Sequence, residues 1–208
     1  MKLLVMRLCG PLMSLAGPRV DAFPMSLPIP SASMITGILG AAMGYPRGDD
    51  RLLELANGIE YAVIVHRPGV PIVDFQTADL DRIGEKIVST DAEGFLVEVA
   101  RSTTSSRAMS RRPFLSDADM RALIRLPERW EADEVLMALR DPVFPLFLGR
   151  THCMPSEDIG ESVVEAESME DAVAALPAGT RYLPINGFDS LSIEVPSRGS
   201  QIRRFAVA

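Results

Sequence analysis

The chain has 208 residues, 47% of them hydrophobic, with 21 Lys and Arg against 28 Asp and Glu for a net charge of −7. That is enough for a buried core in one large domain or two small ones, and the acidic balance argues against a surface that binds nucleic acid throughout. Two cysteines, at 9 and 153, exclude a disulfide framework and a four-ligand zinc cluster, and fit a reducing, cytoplasmic location.

The first residues, MKLLVMRLCGPLMSLAG, superficially resemble a signal peptide, but Arg7 and then Gly10-Pro11 interrupt the apolar run. The pattern predicts a buried strand over 3–9 closed by the Gly-Pro turn, and a chain neither exported nor anchored. No segment approaches the roughly 20 uninterrupted apolar residues of a membrane span. Residues 12–30, rich in proline and weakly periodic, read as a loop. SASMITGILGAAMG then has serines fit for an N-cap and Gly44 as a stop, so it predicts a helix whose small residues at 37, 40, 41 and 44 approach a sheet. DDRLLELANG predicts a second helix, and IEYAVIVHRPG a strand ended by a Pro-Gly turn.

From 78 to 113 the chain is polar, weakly periodic and rich in Arg and Ser, which predicts a projecting hairpin or loop. FLSDADMRALIRL reads as a strand, EADEVLMALRDP as an amphipathic helix stopped before Pro142, and FPLFLGRTHCMP, 144–155, as another strand or turn. The acidic stretch 156–171 reads as a solvated helix, and RYLPING and SLSIEV as strands. The resulting order is β-α-β-β-α-β with inserts, an α+β fold of ferredoxin-like or RRM type.

Charge is segregated along the chain. Between Arg101 and Arg129 seven arginines face three acids, whereas 151–180 holds seven acids and no Lys or Arg. Arginine makes up 19 of the 21 cations, a bias compatible with RNA contact and equally with a GC-rich genome.

Chemical signatures are sparse. The Walker, dinucleotide-binding and zincin motifs are absent, so no cofactor is expected. Asp117 and Asp119 are too few for a metal site, and none is expected. His152 and Cys153 are adjacent, which in a strand points them to opposite faces and argues against a catalytic dyad. His66 meets a Pro-Gly turn without an evident nucleophile nearby. No catalytic residue is assigned. Phe147 beside Gly149-Arg150, and Phe114 after Arg111-Arg112, instead supply cations and stacking faces suited to RNA, although an aromatic beside an apolar strand also reads as core.

Several stretches resemble the CasD family, the fifth Cas family: LCGPLMS at 8–14, PSAS with GILGAAMGYPR at 30–47, VDFQT at 73–77, RPFLSDADM at 112–120, and FPLFLGRTHCMP at 144–155. Members cap the 5′ handle of the guide RNA in the type I CRISPR effector Cascade, and the type I-E form is the nearest in pattern. The resemblance implies an RRM-type domain over 1–152 with a thumb inserted at about 78–112, and a small C-terminal domain over 153–208. It further implies that the handle is gripped in a hook and that the thumb displaces a base where handle meets spacer.

On this reading the RNA-binding residues are Arg19, Ser31, Ser33, Arg107, Arg111, Arg112, Phe147, Arg150 and His152, with Cys153 packed behind the 144–155 edge. Implied partners are the crRNA 5′ handle, the backbone and large subunits of Cascade, and target DNA indirectly through the complex, in antiviral defence and without a membrane. Where many members carry a basic residue in P-[ST]-[KR]-S, this chain has Ala32. Some relatives cleave precursor RNA with a Tyr-Lys-His set, but Lys2 and Lys86, the only lysines, lie outside the matching motifs. A non-catalytic role is therefore expected, with a metal-independent endoribonuclease as the alternative.

Overall fold

A computed structural model describes the backbone of residues 1–15, 27–79, 87–90, 96–100, 107–177, 179–184, 190–194 and 202–206, and the side chains of 1–15, 27–76, 111–177 and 179. By contacts the chain divides into two units, one of Met1–Ile72 with Pro113–Ala208 and one of Val73–Arg112.

In the first unit the central strand β1, Lys2–Met13, lies antiparallel between β6, Arg107–Arg125, and β7, Gly160–Glu165. The strand β2, Glu60–Arg67, pairs with β6 on the other side of it. Beyond β2 the sheet continues through β8, Thr180–Pro184, β9, Ser190–Glu194, and β10, Ile202–Ala206, giving the order β10-β9-β8-β2-β6-β1-β7. The strand β3, Val70–Asp79, also pairs with β6. The fold is thus a mixed α/β one built on an antiparallel sheet. Strands of the segment expected as a separate C-terminal domain, 153–208, join this sheet through β7 on β1 and β8 on β2.

The unbroken apolar runs of β1 and β2 follow from burial on both faces of the sheet. On one face Leu4, Met6 and Leu8, with Tyr61, Val63 and Val65, and Met120 and Ile124 of β6, pack against three helices. These are α1, Ala32–Ala42, α2, Asp50–Gly58, and α3, Ala132–Arg140. Full burial of each such side chain contributes roughly 1.5–3 kcal/mol. On the opposite face Leu3, Val5, Ala62, Ile64 and Leu123 meet Ala172 and Val173 of α4, Met169–Ala175.

Three local expectations differ from what is observed. The first strand does not end at Gly10-Pro11 but runs on to Met13, because Pro11 falls opposite Asp117 in the one gap of the β1–β6 register. Proline has no N–H to give there, and Asp117 adopts φ 56, a conformation Asp tolerates. The glycines of α1 and Gly44 just past its end do not face the sheet: a Cβ on Gly40 would strike Leu52 of α2, one on Gly44 would meet Val143, and Gly37 is open. The acidic 156–171 stretch is not one solvated helix, since it contains β7 and only the start of α4. Two of its carboxylates are paired, Glu161 with Arg121 and Glu157 with Arg7.

In the second unit β4, Ile87–Thr90, and β5, Leu96–Ala100, form a two-stranded antiparallel sheet. No helix among the described residues is long and apolar enough to cross a membrane.

Candidate nucleic-acid interface

The 144–155 motif is a turn stitched to the end of β1. The N–H of Ser14 donates to the Leu148 carbonyl at 2.9 Å, that of Leu148 to the Cys153 carbonyl at 2.7 Å, and that of Cys153 to the Arg150 carbonyl at 2.8 Å. Gly149 makes this possible. Its φ of 95° lies in the left-handed region, and a Cβ there would overlap the Ser14 carbonyl oxygen.

Around this turn two of the expected site residues converge on Phe114, which is itself buried at 2% exposure and so belongs to the core. The Arg150 guanidinium carbon lies 5.3 Å from the Phe114 ring centroid, and the exposed His152 ring meets it edge-on at 5.2 Å. Arg150 Nε donates to Ser14 Oγ at 3.1 Å. Phe147 is half-buried just before the turn, and Cys153 is fully buried behind it. Desolvation pushes the Cys153 thiol pKa up, which keeps it protonated and a poor nucleophile.

The remaining residues are dispersed. Ser31 is the N-cap of α1, its Oγ accepting the Met34 N–H at 3.3 Å, and its hydroxyl proton is left to donate elsewhere. Ser33 is exposed in the first turn of α1. Arg111 and Arg112 belong to the Val73–Arg112 unit, where the Arg111 guanidinium stands 5.9 Å from the ring centroid of Phe75. Arg19 and the side chain of Arg107 lie outside the described residues.

Two residues escaped the sequence reading. Phe75 is 53% exposed on β3, an aromatic surface next to a cation; its place in VPIVDFQT, whose apolar residues do not keep to one face, was the available signal. Ser14 carried no such signal, because only the folded turn brings it to Arg150.

Beside β7 two arginines are met by carboxylates. Arg7 pairs with Asp119 at 3.1 Å and also with Glu157, and Arg121 grips Glu161 with two bonds of 2.7 and 2.9 Å. Arg140 donates to the Gly160 and Glu161 carbonyls at 3.2 and 2.8 Å. Arg7, Arg140, Glu157, Asp158, Gly160 and Glu161 line an open groove of about 710 Å³. Burial acts to raise the Asp119 pKa, but the Arg7 hydrogen bonds and the charges of Arg7, His66 and Arg121 outweigh it and hold the carboxyl below its ordinary range. No group of three or more His, Cys, Asp or Glu suited to a metal ion occurs among the described residues.

A family model described as CRISPR-associated protein (Cas_Cas5) matches residues 3–205. The chain belongs to the Cas5 family. This Cas5 chain is similar, at 25% identity and a TM-score of 0.63, to a solved chain of a CRISPR RNA-guided surveillance complex, over 99% of its own length and 90% of the other's. A crystal structure of a Cas protein matches at 24% identity and a TM-score of 0.56, covering 99% and 94%, and so shares the fold. No curated protein matches the chain.

Proposed function

We propose that this Cas5 protein is a non-catalytic subunit of the type I effector Cascade, of the CasD kind and nearest the type I-E form, that binds and caps the 5′ handle of the crRNA. It acts in the cytoplasm with backbone and large subunits and reaches target DNA only through the complex. The observation that carries this reading is Arg150, a guanidinium held by a neutral hydroxyl and an aromatic ring rather than by a carboxylate. A cation set in place without being neutralised is suited to an anionic chain.

Other features support it. The sheet order β2-β6-β1-β7 agrees with a ferredoxin-like or RRM-type core, and Val73–Arg112 overlaps the segment expected as the thumb. Each unit carries its own contacts, Arg150, His152 and Phe147 in one and Arg107, Arg111 and Arg112 in the other. If four arginines neutralise phosphates, log affinity falls with log salt at a slope near −2.8, from about −0.7 per contact on single strands.

The test is incubation of the purified protein with repeat-derived RNA in EDTA, read by gel shift and by denaturing gel. Intact, shifted RNA is the expected result, and co-elution of crRNA and Cascade subunits with a tagged copy extends it. Site-specific cleavage would establish the endoribonuclease reading instead.

A further inference from the structure

We infer that Arg150 forms a seat for a single phosphodiester and that Ser14 is its positioning residue; this deepens the RNA-binding reading and rests on it. Ser14 follows the last residue of β1 and is only 4% exposed, so its hydroxyl is fixed by the sheet and not by solvent. It holds the turn twice, by its backbone N–H to Leu148 and by its Oγ to Arg150 Nε. The Phe114 ring at 5.3 Å supplies the third constraint.

Using Nε in this way leaves the two terminal nitrogens of Arg150 as a planar fork. Among the described residues no carboxylate pairs with that fork, whereas Arg7, Arg51, Arg121, Arg125 and Arg129 all have acidic partners. Two parallel N–H groups match two oxygens of a phosphate, which a lysine cannot do. The chemistry of Ser14 is decisive: a hydroxyl aims the guanidinium and leaves its charge intact, while an aspartate would aim it and cancel it. Because phosphate carries no sequence information, this seat sets register and orientation, not base choice.

The experiment is a double-mutant cycle on the full chain, with Ser14→Ala, Arg150→Ala and the pair, measured by binding of a single-stranded RNA bearing the repeat-derived 5′ end and of a shuffled RNA. Arg150→Ala is expected to weaken both RNAs about tenfold or more and to reduce the salt slope by about 0.7. Ser14→Ala is expected to weaken binding about fivefold with the slope retained, and to have no effect once Arg150 is gone. Arg150→Lys, which keeps the charge but loses the fork, is expected to bind close to Arg150→Ala.

Equal losses from Ser14→Ala in both backgrounds would overturn its positioning role. Arg150→Ala or Arg150→Lys binding like the unaltered protein would overturn the seat while RNA binding stands. A loss confined to the repeat-derived RNA would replace phosphate recognition by base recognition. Failure of the unaltered protein to bind either RNA would overturn the functional reading and the seat together.

Discussion

The two arginine-bearing regions of the main unit differ in what holds each guanidinium. Beside β7, Arg7 and Arg121 are tied to Asp119, Glu157 and Glu161, and Arg140 to backbone carbonyls, so charge there is spent inside the protein. At the 148–153 turn Arg150 is tied to a serine and lies 5.3 Å from the centroid of a ring, with no carboxylate paired to it among the described residues. Arginine density along the sequence therefore does not locate an anion-binding surface. The nature of the partner is what separates the two regions, and the partners lie 20 to 150 residues away.

The largest expected effect falls on the turn itself. Gly149→Ala forces a left-handed φ on a residue with a side chain and drives a Cβ into the Ser14 carbonyl, at a combined cost of about 3 kcal/mol. A thermal melt should drop by roughly 10 °C. An unchanged midpoint would break the view that the turn is clamped to β1.

Next comes the neutralised region. Arg121→Ala removes a guanidinium whose side chain is only 14% exposed and strips the 33% exposed Glu161 of two hydrogen bonds, and is expected to cost about 1.5–3 kcal/mol in urea unfolding while RNA affinity stays unchanged. A matching loss of RNA affinity would erase the distinction between the two regions.

Stacking should be smaller. Phe147→Ala and Phe75→Ala are each expected to weaken RNA binding in a shift assay by roughly 1 kcal/mol, the low end for base–aromatic stacking. Unchanged affinity for either removes that ring from the interface.

The smallest effect is local and acidic. Side-chain and then backbone hydrogen bonds from Arg51 pull the pKa of the α2 N-cap Asp49 from 3.8 to about 2. With the folded value depressed, its stabilisation is complete above the ordinary carboxylate range and disappears as pH falls through about 2. Circular dichroism down an acid titration should show Asp49→Asn losing this acid-sensitive increment.

Much of the body was legible. Local chemistry announced α1 through Ser31 and Gly44 and α3 through its stop before Pro142, and unbroken apolar runs announced β1 and β2. The stretches at 30–47, 112–120 and 144–155 fell within the family match. What was hidden depends on partners distant in sequence. The reach of β1 past Pro11 needs the gap opposite Asp117, and β7 looks like a solvated acidic segment until Arg121 and Arg7 are brought to it. The glycine-bearing side of α1 was assigned to the sheet because composition says that something comes close but not what, and it was Leu52.

Cys153 has a practical consequence. Its sulfur is walled off within the same short loop that carries Arg150, while the other thiol, Cys9, is partly accessible. With Cys9 replaced by serine, the rate at which a maleimide dye attaches to the remaining thiol becomes a clock for how often that loop lifts away. Saturating RNA should slow the clock if the nucleic acid holds the loop down.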